Sequence, residues 1–368
     1  QTDNKKPDTN KDQTDNKKPD TNKDQTDNKK PDTNKDQTDN KKPDANKKES
    51  TNKITSSSIS TTASENNSSE QESNIKVVNR ISGENRYDTA VSISSNNFTK
   101  ADSVVLANGY KDADALVAAP LASSMSAPIL LTKADTIPVE TMKEISRLGA
   151  KKVYITGGEN SVNPQVVDQL KKAGIDVIRI SGEDKYQTAI KIAEIVRSSG
   201  NNEEAILVNG TKTADALSVS AFATKIKAPV LLTGGDMLNK DVDNSLKAWK
   251  LKKLTTVGGT KSLSKDVVDA AKAESKIRVS GENKYATSVA IAKYAYDNPK
   301  GIMIANGEKT TDALAAGAIT AKTMSPVVLV NGKETSPELK KYMKVTEKIS
   351  LIGGQASLSE NLIKMLKK

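Results

Sequence analysis

The chain has 368 residues, of which 35% are hydrophobic and 28% charged, with a formal net charge of +10 and neither histidine nor cysteine. Without histidine the commonest general base and metal ligand is missing, and without cysteine there is no thiolate chemistry, disulfide or cysteine zinc site. We therefore expect no enzyme activity, no metal and no cofactor. Residues 1–74 carry about −1 and the rest about +11, so the basic charge lies in the part that folds and favours an acidic partner.

Residues 1–74 have the composition of a spacer. Four 12-residue repeats, three of them reading QTDNKKPDTNKD, precede a Ser/Thr/Asn-rich stretch. Such a segment cannot bury enough apolar surface to offset the entropy of ordering it, so we predict a disordered, low-complexity spacer. The start at Gln1 suggests that a targeting segment has been removed, although recombinant expression would give the same start. No apolar run approaches the length of a membrane span, so we expect no membrane insertion.

The rest of the chain is a tandem repeat. The stretch RISGENRYDTA, which begins at Arg80, returns as RISGEDKYQTA from Arg179 and as RVSGENKYATS from Arg278, at a spacing of 99 residues. Asn-Gly, Asp-Ala-Leu and Gly-Gly recur with it. A period of that length is the size of a small domain. We predict three homologous repeats, at residues 75–174, 175–273 and 274–368.

Each repeat alternates short apolar runs with helical periodicity. In the first, the pattern predicts strands at 75–81, 103–109, 128–132 and 152–158, and helices at 87–98, 114–125, 139–148 and 164–173. The same order returns in the other two repeats, and the chain ends on a predicted helix at 358–367. Strand followed by helix predicts a parallel sheet with covered faces. The fold class is therefore α/β, with three tandem Rossmann-like or flavodoxin-like modules.

The leading motif predicts a strand, a Ser-Gly turn and a helix with Asn85, Asp184 or Asn283 at its N-cap. Such a junction directs free N–H groups to the sheet edge where anions bind in these folds. The intervening glutamates, Glu84 in the first repeat, leave a second interpretation open, in which Arg and Glu form an internal ion pair. The tyrosines are candidates for the same site or for core packing. The candidate polymer-binding residues are Arg80, Arg86, Arg179, Lys185, Arg278, Lys284, Tyr87, Tyr186 and Tyr285.

The other recurring motifs have structural interpretations. Asp114, Asp215 and Asp312 are predicted helix N-caps. Six residues later the repeats have Pro120, Ala221 and Ala318, which indicates close backbone packing. The Gly-Gly pairs match no nucleotide-binding pattern and predict a tight turn.

Together these motifs resemble the clostridial cell-wall-binding repeat 2 family, over residues 75–368. The markers are Arg-Ile-Ser-Gly followed by Arg/Lys-Tyr-x-Thr, the Asn-Gly and Asp-Ala-Leu pair, an aliphatic strand and Gly-Gly. The resemblance implies a monomer whose three copies close into a pseudo-threefold triangular assembly. It also implies a secreted protein of the Gram-positive cell wall or S-layer, bound noncovalently to an anionic, phosphate-bearing secondary wall polysaccharide of the teichoic-acid kind, with S-layer proteins as further partners.

The family associates its aliphatic motif with anchoring. The corresponding residues are Ile129, Leu130, Leu131, Val230, Leu231, Leu232, Val327, Val328 and Leu329. The third copy departs from the pattern, which puts its binding in doubt. The residues themselves predict a buried strand, so their effect on binding can be structural.

The leading hypothesis is multivalent anchoring to a wall polymer through three similar sites. One alternative is a wall-modifying, amidase-like enzyme of which this chain is only the anchor. The other is nucleic-acid binding, which fits the pI of about 9.3 but lacks any known reading motif, so we expect no nucleic-acid partner.

Overall fold

The computed structural model describes residues 77–367, so the predicted spacer lies outside the described residues. Three parallel four-stranded sheets carry the fold. The twelve strands are β1 (Val77–Ile81), β2 (Ser103–Asn108), β3 (Ile129–Thr132), β4 (Lys152–Thr156), β5 (Asp176–Ile180), β6 (Glu204–Asn209), β7 (Val230–Thr233), β8 (Lys253–Val257), β9 (Ser275–Val279), β10 (Gly301–Asn306), β11 (Val327–Val330) and β12 (Lys348–Ile352).

The helices pack on these sheets and nearly all match the predicted positions. They are α1 (Arg86–Asn97), α2 (Asp112–Leu116), α3 (Ala118–Ser124), α4 (Val139–Leu148), α5 (Pro164–Lys172), α6 (Lys185–Ser199), α7 (Thr213–Ser218), α8 (Ser220–Ile226), α9 (Lys240–Trp249), α10 (Lys265–Ala270), α11 (Lys284–Ala295), a 3₁₀ helix (Thr310–Ile319), α12 (Thr320–Thr323), α13 (Pro337–Met343) and α14 (Glu360–Leu366). The predicted helix at 114–125 is the exception, because it is broken at Val117 into α2 and α3. The second repeat breaks at Val219 without a proline nearby, so Pro120 does not cause the break.

The sheets have the order β3-β2-β4-β5, β7-β6-β8-β9 and β11-β10-β12-β1. The first two run second, first, third, fourth in chain order, as in flavodoxin-like folds. The predicted α/β class is therefore confirmed. The strands of the middle positions are buried and continuously apolar, as both faces are covered.

The fourth strand of every sheet comes from the next repeat. β5 and β9 open the second and third repeats in the sequence, yet they pair with β4 and β8 of the preceding repeat. β1 pairs with β12, with Val77 opposite Lys348 and Ile81 opposite Ile352. The helix that follows β1, α1, packs on β3 of its own repeat. The leading motif therefore spans two modules each time, and the third joint closes a ring.

The three repeats also meet at a shared centre. Ala119, Ser220 and Gly317 occupy equivalent positions, and a Cβ placed on Gly317 would lie 2.7 Å from the Ala119 Cβ and 3.1 Å from the Ser220 Cβ. Beside them the buried Thr224 and Thr320 hydroxyls form a 2.7 Å hydrogen bond. The close backbone packing predicted for this segment is confirmed, and the arrangement is pseudo-threefold.

None of the helices in residues 77–367 combines the length and the apolar composition that crossing a bilayer requires.

Candidate functional site

Each sheet opens a crevice beyond the carboxyl ends of its strands. In the second repeat, β7 and β8 lie on opposite sides of β6, so the loops after β6 and β8 run apart, and ligands of open α/β sheets bind at such switch points. A cleft of about 700 Å³ lies there, lined by residues 211–215 and 259–262 of the second repeat and by 281–284, 307 and 308 from the start of the third. We call it the second cleft. The first and third clefts are the equivalent places between repeats one and two and between repeats three and one.

A buried carboxylate forms the floor of each cleft. Asp114, Asp215 and Asp312 are 7% exposed or less, or half-buried in the third case. The Ser161 hydroxyl donates to Asp114 Oδ2 at 2.7 Å, and the Ser262 hydroxyl donates to Asp215 Oδ2 at 2.6 Å. These contacts join the loop after the first strand of a module to the loop after its third strand.

The prediction that these aspartates are N-caps is wrong. The cap positions are Lys111, Lys212 and Lys309, none of which makes a side-chain cap hydrogen bond. Each aspartate instead lies inside its helix and turns back to the serine loop. The Asn-Gly asparagines reinforce the same joint. Asn209 and Asn306 donate from Nδ2 to the carbonyls of Ser262 and Ser357 at 2.6 Å, and Asn108 donates likewise to Ser161.

Burial raises the pKa of all three aspartates above the ordinary value. The neighbouring lysines, Lys111, Lys212 and Lys309, act in the opposite direction, because a nearby positive charge stabilises the carboxylate. Each cleft therefore holds a desolvated acid beneath an exposed ammonium group.

The Gly-Gly turn leaves room for this carboxylate. Gly258 has φ +104°, and a Cβ on it would lie 2.6 Å from Asp215 Oδ2. Gly353 has φ +117° and would place a Cβ 2.8 Å from Asp312 Oδ2. The predicted tight turn is present, and glycine is required there both by the left-handed backbone and by the acid beside it.

The first arginine of the leading motif binds backbone carbonyls of the neighbouring module. Arg179 donates to the carbonyls of Gly157 at 2.8 Å and Val162 at 2.7 Å. Arg278 donates to the carbonyls of Gly258 at 2.6 Å and Leu263 at 2.9 Å. Arg80 does the same across the ring closure.

The ion pair proposed within the leading motif is not formed. Across residues 77–367, Glu84, Glu183 and Glu282 take part in none of the ion pairs. Carbonyls with free lone pairs lie within reach of each arginine, and the guanidinium fork is directed to two of them at once. Polymer contact by Arg80, Arg179 and Arg278 stays a prediction, made from side chains that already hold the loops in place.

The rest of the motif builds the turn and the helix start. The predicted N-caps are confirmed, because Asn85, Asp184 and Asn283 each accept from backbone N–H groups of the first helical turn. The threonine of the motif accepts from the turn glycine, with the Gly83 nitrogen 3.1 Å from Thr89 Oγ1. Most of the repeated letters therefore serve the strand–turn–helix joint.

The second cation of the motif reaches the cleft wall. Arg86 donates from Nη1 to the Gly109 carbonyl at 2.5 Å and stacks on Tyr110, 4.1 Å from the ring centre. Lys185 donates to the Gly210 carbonyl at 2.8 Å. Lys284 forms a 2.8 Å ion pair with Glu308.

The candidate tyrosines and aliphatic residues lie in the packing. Tyr87 is 5% exposed, and Tyr186 and Tyr285 are half-buried against the core. All nine aliphatic residues are 2% exposed or less, in strands β3, β7 and β11 at the edges of the sheets. Helices α1, α6 and α11 cover these strands, which confirms the buried strand.

Sequence reasoning missed two members of the site. Lys111, Lys212 and Lys309 stand three residues before the aspartate in every copy, and the serine recurs as Gly-Gly-x-x-Ser. Aligning the three copies with one another gives both signals. Within residues 77–367, no group of three or more acidic side chains is arranged to hold a metal ion.

Comparison with known proteins identifies the repeats. A family model described as cell wall binding domain 2 (CWB2) matches residues 80–167, 179–268 and 278–363, more than half of the chain. The chain is similar to N-acetylmuramoyl-L-alanine amidase LytC of Bacillus subtilis (strain 168), 32% identical over 252 residues, which are 68% of this chain and 50% of that protein. It is also similar to the amidase enhancer of the same organism, 30% identical over 65% of this chain and 33% of that protein. The chain thus spans half or less of the length of these relatives.

Two solved structures share the fold. Cwp6 from Clostridium difficile superposes with a TM-score of 0.76 at 28% identity, over 85% of this chain and 50% of that one. Cwp8 from Clostridium difficile superposes with a TM-score of 0.69 at 32% identity, over 78% of this chain and 51% of that one.

Proposed function

The chain belongs to the cell wall binding domain 2 family and is a cell-wall-associated protein, and from this membership we propose that it anchors a secreted surface protein noncovalently to an anionic, phosphate-bearing wall polymer. The three clefts are the proposed binding sites. Lys111, Lys212 and Lys309 supply one cation to each cleft, and the following repeat supplies a second.

The observation that carries the proposal is the position of these cations. They stand at the switch points of three parallel sheets, where the loops after neighbouring strands diverge. A polyanion that passes over several such sites is held at several points, so that weak sites add through effective concentration. The net charge of the folded part supports attraction of such a polymer from solution, weakened by salt.

The proposal separates contact from support. Arg86, Lys185 and Lys284 are the members of the leading motif that we assign to the polymer. Arg80, Arg179 and Arg278 hold the loops that form the clefts, and the aliphatic strands hold the helices that carry the second cation. Loss of binding in variants of the supporting residues would follow from changed loop geometry.

The test is sedimentation of the purified protein with isolated walls, before and after chemical removal of the anionic polymer, over a series of salt concentrations. The triple variant Lys111→Ala, Lys212→Ala, Lys309→Ala is compared with Lys172→Ala, Lys272→Ala, Lys367→Ala, which removes the same charge from exposed positions outside the clefts. We expect the first variant to lose most binding and the second to lose little. Equal loss would mean that overall charge, and not the clefts, binds the wall. Unchanged sedimentation after polymer removal would refute the proposal.

A further inference from the structure

We propose that the three clefts are unequal, and that the second cleft is the principal site, binding a phosphodiester together with hydroxyl groups of the units that it links. This inference rests on the proposed function and assigns it unequally among the copies.

The second cleft has one cation more than the others. Lys212, Lys261 and Lys284 all line it. The position of Lys261, just before the serine, is Asn160 in the first cleft and Ala356 in the third. Three ammonium groups around one cleft can contact two non-bridging oxygens of a phosphate at once, each as a point charge with several donors.

The lysines of the second cleft are also less engaged. In the first cleft, Lys111 Nζ donates to the Asn160 carbonyl at 2.7 Å, and in the third, Lys309 Nζ donates to the Ala356 carbonyl at 3.1 Å. The equivalent acceptor for Lys212 is the carbonyl of Lys261. Within the described part of the chain, neither the Lys212 nor the Lys261 ammonium forms a hydrogen bond or an ion pair. A ligand therefore displaces no protein contact there, whereas in the other clefts it competes with a carbonyl.

Carboxylates lie among these lysines and restrict the ligand. Asp215, Glu282 and Glu308 line the same cleft. Glu308 accepts from Lys284 at 2.8 Å and from the Tyr285 hydroxyl, and its equivalents in the other repeats are Tyr110 and Thr211. A carboxylate repels a phosphate that approaches it but accepts hydrogen bonds from hydroxyl groups. The lining therefore fits a chain in which phosphates alternate with hydroxyl-bearing units, and it disfavours a continuous polyphosphate.

The experiment measures calorimetric affinity for two probes, a poly(glycerol phosphate) oligomer and a linear polyphosphate with the same number of charges. The variant Lys212→Ala, Lys261→Ala is matched by Lys111→Ala, Lys309→Ala, which removes the same charge from the other two clefts. We expect the first to weaken glycerol-phosphate binding by at least about tenfold and the second by less than about threefold. Denaturant unfolding of each variant confirms that the fold is retained.

A third variant, Glu282→Gln, Glu308→Gln, tests the role of the carboxylates. We expect it to strengthen polyphosphate binding relative to glycerol-phosphate binding, because the repulsion is removed. Equal losses in the two lysine variants, or equal preference for the two probes in the unchanged protein, would overturn the inference while leaving three equivalent polymer sites. Failure of the unchanged protein to bind walls would instead refute the proposed function itself.

Discussion

Arg80 donates from Nη1 to the carbonyl of Gly353 at 2.7 Å and from Nη2 to the carbonyl of Leu358 at 2.9 Å. These contacts join the first described strand to the loop after the last one. Arg179 makes the same pair of contacts inside the chain. The ring is therefore closed by the same joint that connects consecutive modules, although the two partners of the closing joint are more than 270 residues apart.

Arg80→Ala should lower the free energy of unfolding by about 2–4 kcal/mol, because two carbonyls lose a charged donor. Urea unfolding measures the loss, and hydrogen exchange should increase first in β1, which pairs only with β12. Lys172→Ala, an exposed change elsewhere, serves as the control. If Arg80→Ala were as stable as the unchanged protein but failed to bind walls, Arg80 would contact the polymer directly.

Gly258→Ala should destabilise the second module by about 2 kcal/mol or more, since it combines φ +104° with a contact to the buried Asp215. Gly259→Ala is the matched control, as a Cβ on that neighbouring glycine meets no atom within 4 Å. Thermal unfolding of both variants measures the difference. Similar melting temperatures for the two would show that the loop moves freely away from the carboxylate.

Asp215→Asn should change how stability depends on pH. Burial raises the pKa of Asp215 above its unfolded value, so this group favours the folded state at pH values below the unfolded pKa. That contribution is lost as the pH rises through the folded pKa. The free energy of unfolding of the variant, relative to the unchanged protein, should therefore increase from about pH 3 to about pH 7. A constant difference, measured by urea unfolding at each pH, would contradict the desolvation of this carboxylate.

Gly317→Ala should destabilise the centre of the assembly by about 1–3 kcal/mol, because the new methyl group would lie 2.7 Å from the Ala119 Cβ. Adding Ala119→Gly removes that neighbour and should restore part of the loss. A double-mutant cycle of unfolding free energies measures the coupling. Additive effects would mean that the two repeats do not touch at this point in solution.

Leu231→Ala should reduce wall binding only as far as it unfolds the second module. The side chain is fully buried in β7, so truncation should cost about 2–5 kcal/mol. Leu231→Met keeps the volume, should cost less than about 1.5 kcal/mol and should bind normally. A folded Leu231→Ala protein without wall binding would show a direct role for the aliphatic motif.

Much of the site was predictable, since its parts repeat. The N-caps at Asn85, Asp184 and Asn283 were predicted correctly because a cap depends on residues two or three positions away. The role of Asp114 was not, because its partner Ser161 lies 47 residues along the chain. An aspartate near a helix start looks the same in sequence whether it caps the helix or turns inward.

The sequence by itself determined the α/β class, the threefold repetition and the positions of nearly every strand and helix, since apolar periodicity and capping act over a few residues. Only the tertiary structure decided which sheet each repeated strand joins, and that the first arginine of the motif binds a neighbouring loop. Parallel pairing joins strands that are distant in the chain, and no local pattern identifies the partner. The clefts exist because each module is completed by the next.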